Sequence, residues 1–135
     1  MSRLSLSECN PNEISTLGLA FVGDGVYDLI VREELVCQAN RPVKELNLKK
    51  VEVVRCEAQA RLAKRIEPHL TEEESDILRR GRNAHTGHAP KNASMADYHM
   101  ATALEALIGY LYLSDNIERI RELIALGREV EGYEK

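Results

Sequence analysis

Apolar residues recur every three or four positions along most of the chain and nowhere alternate convincingly with period two, so the pattern predicts helices and no sheet. Asn10, Pro11 and Glu13 supply an N-cap, a first-turn proline and a carboxylate for a helix expected to run to about Gln38, where Asn40, Arg41 and Pro42 stop it. A short helical turn near Val43 to Asn47 should lead into a longer helix carrying Val51, Val54, Ala58, Leu62 and Ile66 at helical spacing, ended by Pro68. Thr71 with Glu74 forms a capping box, and Glu72, Glu73 and Asp76 early with Arg79 and Arg80 late complement the dipole of a helix expected to stop near Gly81. Asn83 to Ala93, with Gly87 and Pro90, reads as an exposed loop. Ser94 with Asp97 caps a long apolar helix to about Leu113, and Asp115 with Glu118 caps a last helix reaching Gly132.

Composition agrees with an all-α fold. The 135 residues are 44% hydrophobic and 30% charged, enough for one compact domain, taken as residues 1–135. Phe21 is the only phenylalanine, tryptophan is absent, and the apolar mass is Leu, Ala, Val and Ile, which suits helices better than a sandwich or barrel. No apolar stretch reaches the roughly 18 residues of a membrane span. The first eleven residues lack a signal-peptide core, so the expectation is a cytoplasmic protein without a membrane partner. Cys9, Cys37 and Cys56 are odd in number and form no CxxC, and are expected to be plain packed thiols.

The net charge of −4 hides a pattern along the chain. Residues 1–40 carry 2 bases and 6 acids, residues 41–91 carry 12 bases and 8 acids, and residues 92–135 carry 4 bases and 8 acids. From Arg79 to Lys91 there are four bases, Arg79, Arg80, Arg82 and Lys91, and no acid, which makes a local anion-binding surface on an acidic protein.

Two segments combine the look of a core with acids inside them. Leu17 to Val31 is apolar nearly all round except for Asp24 and Asp28, and Tyr98 to Leu113 holds Glu105 alone; neither contains Lys or Arg. A buried unpaired carboxylate costs several kcal/mol at least, so a cation from elsewhere, a raised pKa or a bound metal must compensate. Oxygen-only ligands select a hard cation such as Mg²⁺, and helices crossing at Asp24 and Glu105 would make such a site. The bland alternative leaves Asp24 and Asp28 facing solvent and pairs Glu105 with an arginine such as Arg55. Gly18, Gly23 and Gly25 inside one helix cost on the order of 1 kcal/mol each relative to Ala, which points to close backbone approach. Gly18 and Gly25 share a face on which another helix, or a second subunit, could pack, and Gly109 is expected to act similarly in the other helix.

At these residues the chain resembles the ribonuclease III family, in its Mini-ribonuclease III branch. Leu19 to Leu29 (LAFVGDGVYDL) is similar to the family's signature helix, Ala103 to Leu113 (ALEALIGYLYL) to its second acidic motif, and Leu78 to Asn92 (LRRGRNAHTGHAPKN) to the branch's Arg-rich loop. The resemblance implies an all-helical, homodimeric, Mg²⁺-dependent endonuclease domain, with Mn²⁺ as an alternative ion. The substrate it implies is double-stranded RNA, in this branch chiefly the precursor of large-subunit (23S) ribosomal RNA. It implies that the separate double-stranded-RNA-binding domain of longer members is absent. Asp24 and Glu105 fall on the family's catalytic, metal-holding acids. Two further acids of the larger enzymes fall on Ala20 and Thr102, neither of which can serve as a carboxylate ligand. Arg79, Arg80, Arg82, His85 and Lys91 are then candidates for phosphate contact, Arg82 and Lys91 foremost, because duplex RNA is read through shape, 2′-hydroxyls and phosphates. The His85/His88 spacing is weak as a zinc signal. Two rival classes remain: a catalytically silent RNA-binding or ribosome-assembly scaffold, and an all-α Mg²⁺-dependent nucleotide pyrophosphohydrolase, which would want several clustered acids.

Overall fold

In the computed structural model, residues 3–84 and 94–131 are described, the side chains of 129–131 excepted. Six helices follow in order: α1 (Thr16–Gln38), α2 (Val43–Val54), α3 (Cys56–Ile66), α4 (Glu72–Asn83), α5 (Met95–Leu113) and α6 (Ile117–Glu131), with single 3₁₀ turns at Pro11–Glu13 and Glu67–His69. Among the described residues there is no strand, and no helix is long and apolar enough to cross a membrane.

The order of burial follows the apolar pattern. Helix α5, apolar on every side, is the central element, with α1, α3, α4 and α6 all packed on it. Leu104 and Leu107 of α5 sit with Leu19 and Val31 of α1, Ile66 of α3 and Leu78 of α4 among the most deeply buried side chains. Helix α2 buries no residue completely and leaves Val43, Leu48 and Val51 exposed.

Local chemistry sets most ends. Ser15 Oγ accepts from the Gly18 N–H to start α1, and Ser94 Oγ accepts from the Asp97 N–H to start α5. The Thr71/Glu74 capping box is reciprocal. Glu74 also takes both arms of Arg119 from α6, at 2.8 Å each, while the same guanidinium donates to the His69 carbonyl. That ties α4 and the turn before it to α6.

Four boundaries differ from the sequence expectation. The Asn10 cap opens only a 3₁₀ turn, and extended Ile14 and Ser15 separate it from α1. The break between α2 and α3 falls at Arg55, in extended conformation (ψ 160°), rather than near Asn47. Helix α4 continues to Asn83, two residues past Gly81. Asp115 does not cap α6: it takes a left-handed φ of 61° in the turn after α5, and the helix starts after Asn116.

Candidate active site

Asp24 and Glu105 come together because the backbones beside them touch. Gly23, immediately before Asp24, lies against the Glu105 carbonyl so closely that a Cβ there would overlap it, and Gly109 meets the Leu19 carbonyl in the same way one turn along each helix. This reciprocal glycine contact is the close approach that the glycine content of α1 anticipates. It is made by Gly23 and Gly109, however, and not by Gly18 with Gly25. Gly18 has Ile14 and Ser15 of its own helix entrance around it, while nothing stands over Gly25.

At this crossing Asp24 is exposed and Glu105 half-buried. Burial first, and then the negative charge of Asp24, push the Glu105 carboxyl up to about 8; a hydrogen bond with Asp24 adds to this, and the amide of Gln59 opposes it. No cation contributes. Arg55, the suggested neutralising partner, is 3.1 Å from Glu57 instead. Asp28, one turn on, is different: Arg32 Nε at 2.6 Å and Lys50 Nζ at 3.2 Å outweigh its partial burial and hold its carboxyl below the usual range. Asp28 is therefore a structural link between α1 and α2.

Ala20 and Thr102 are both buried, and the Thr102 hydroxyl donates to the Tyr98 carbonyl at 3.0 Å, so neither adds a ligand. Among the described residues no group of three or more His, Cys, Asp or Glu side chains is placed to hold a metal. The donor set is thus two carboxylates, oxygen-only, adjacent and without a counter-charge. That set fits a hard cation that keeps most of its waters, as Mg²⁺ does, and does not fit a fully protein-ligated zinc centre.

Sequence reasoning missed two residues beside the pair. Gln59 of α3 is 3% exposed, and its Nε2 donates to the Val54 carbonyl at 2.6 Å. The signal was present: Gln59, Leu62, Ala63 and Ile66 form the buried stripe of α3, with an amide in a position that otherwise takes apolar residues. Cys56 is half-buried, and burial, then Glu105 and Asp97, push its thiol up. Cys9 and Cys37 are exposed rather than packed.

Of the basic candidates, Arg79 and Arg80 both pair with Asp76, which accounts for them as helix-end charges. Arg82 is exposed, with no ion-pair partner among the described residues. His85, His88 and Lys91 lie outside the described residues.

The chain matches the Ribonuclease III domain family over residues 17–116, a span that contains both acids. It is 45% identical to a Mini-ribonuclease 3 from Thermoanaerobacter sp. (strain X514) over 117 residues, covering 87% of this chain and 82% of that protein. With the Mini-ribonuclease 3 of Gloeobacter violaceus it shares 47% identity over 120 residues, 89% and 87% of the two chains. The crystal structure of protein FN1578 from Fusobacterium nucleatum superposes with a TM-score of 0.80 at 31% identity, covering 87% of this chain and 96% of that one. Fold, paired acids and sequence agree, and the chain belongs to the ribonuclease III family, in its Mini-ribonuclease III branch.

Proposed function

We propose that the protein is a Mg²⁺-dependent endoribonuclease that hydrolyses double-stranded RNA as a homodimer, with precursor 23S ribosomal RNA as its substrate. The observation that carries this reading is the meeting of Asp24 and Glu105, two acids with no cation between them, at the α1–α5 crossing with Asp24 open to solvent. Mg²⁺ bound there, with Mn²⁺ as substitute, would neutralise phosphate charge and make water a competent nucleophile at neutral pH. Asp24 and Glu105 hold and orient the ion, and Glu105 must give up its proton to do so. No side chain acts as a covalent nucleophile. Exposed Arg82, with Arg79, Arg80, His85 and Lys91, is assigned to the RNA backbone, where position and not base identity is read.

The homodimer rests on the outward face of α1. Leu17, Phe21, Leu29 and Val36 are all exposed there, Phe21 by 83%. A groove of about 750 Å³, lined by Val26, Leu29, Ile30, Ile120 and Ile124, runs beside them between α1 and α6. Such an apolar surface on one small domain calls for cover, and a two-fold copy supplies it while presenting two sites to the two antiparallel strands of a duplex. Gly25, with open space above it, lies on this face.

The absence of a third acid at the pair favours one rival, a silent RNA-binding scaffold; it removes support from the pyrophosphohydrolase, which needs a cluster. Incubating wild type, Asp24→Asn and Glu105→Gln with a long RNA duplex, in Mg²⁺ or in chelator, separates these. Cleavage by wild type in Mg²⁺ alone, with both variants binding but not cutting, is expected. Equal cutting in chelator, or full activity of Asp24→Asn, would overturn the metal-dependent reading.

A further inference from the structure

Helix α2 ends at Val54, and the chain passes through one extended residue, Arg55, before α3 begins. Carbonyls at the end of a helix have no partner further along it, and a carbonyl so placed must find another donor. The Val54 carbonyl finds Gln59 Nε2 at 2.6 Å. A primary amide has two N–H donors, and the second is within hydrogen-bonding reach of the Glu105 carboxyl on α5, against which α3 packs. Gln59 Oε1, by contrast, is buried with no partner among the described atoms. An orphaned buried acceptor is a cost that a Met or Leu of similar size would avoid, so packing alone gives no reason for an amide at this point of the α3 stripe.

From this we infer that Gln59 is a positioning residue: it anchors the Glu105 carboxyl to the α2–α3 break and keeps it directed at Asp24, so that both acids can share one ion. The inference rests on the nuclease reading above and adds to it the residue that holds the metal-binding geometry. Glu105 has three rotatable bonds and faces a like charge, so without a donor behind it the carboxyl is free to turn away from Asp24. Removing an outer partner of a metal-holding group commonly weakens the ion about ten- to a hundredfold.

The test uses Gln59→Met, with Gln59→Leu as a second apolar replacement should the first not fold. Mn²⁺ binding to the free protein is followed by electron paramagnetic resonance, and duplex RNA cleavage is followed against metal concentration. The expected result is native helicity and an unchanged KM for RNA, with Mn²⁺ affinity about tenfold or more weaker and the half-saturating metal concentration raised in step. Wild-type Mn²⁺ affinity and metal dependence in a folded variant would overturn the inference and leave the nuclease reading intact. A wild-type protein that neither binds Mn²⁺ nor cuts duplex RNA would remove that reading, and this one with it.

Discussion

At the scale of single residues, Asp24 and Glu105 place function and stability in opposition. Burial and the facing charge make the folded state favour the protonated form of Glu105, whose carboxyl is raised to about 8. The fold therefore binds that proton more tightly than the unfolded chain does. In chelator, its contribution to stability is greatest below the usual carboxylate range and is lost as pH rises toward and through 8. Glu105→Gln has no such dependence. Melted in chelator at pH 8, it should be more stable than wild type by about 1 kcal/mol, a rise in Tm of roughly 3–5 °C, while cleavage disappears. Equal melting curves for the two proteins would mean that the carboxyls do not feel each other. These two acids were legible in the sequence because each stands in an apolar stretch without a basic residue. Gln59 was not, because an amide within a mixed helix looks like any surface residue until α3 is docked on α5.

At the scale of elements, the α1–α5 crossing and the α4–α6 tie give separable predictions. Gly23→Ala would drive a methyl group into the Glu105 carbonyl, so destabilisation of about 1–3 kcal/mol is expected, along with loss of cleavage well below the melting temperature. Gly25→Ala, with open space around it, should be neutral or stabilising by up to about 1 kcal/mol in urea titration. If the two variants lose equal stability, the glycine contact is not what joins the helices. For the α4–α6 tie, the Arg119 hydrogen bonds hold the buried Glu74 carboxyl below the usual range. The stability it contributes is present above ordinary carboxylate pKa values and lost as pH falls through them and lower. Glu74→Gln should thus be less stable than wild type by about 2–3 kcal/mol at pH 7, with the gap closing below about pH 4 in a pH series of denaturation midpoints. Helix ends with a side-chain cap, such as Thr71 with Glu74 and Ser94, could be read in advance. The break at Arg55 could not, because Val51 to Cys56 contains no Gly, Pro or capping residue; tertiary packing alone ends α2 there.

At the scale of the whole molecule, one helix organises everything else. Because α5 is enclosed by four others, the apolar surface left over collects on the outer face of α1 and along α2. If the α1 face is where two copies meet, Phe21→Ser should shift sedimentation from dimer to monomer at micromolar concentration without loss of helicity, and an unchanged dimer would send the search for that contact to another face. All-helical architecture was legible from periodicity and composition, and the family from motif order. Which surface stays bare was not, since exposure of Phe21 depends on how α1 rotates when its glycine meets α5. That paired glycine contact also decides how freely this enzyme can vary. The spacing of its two acids is set by main chain resting on main chain, so a library that randomises the surrounding aliphatic side chains among one another should yield many working nucleases, whereas the two glycines themselves should return almost unmutated from any selection for cutting.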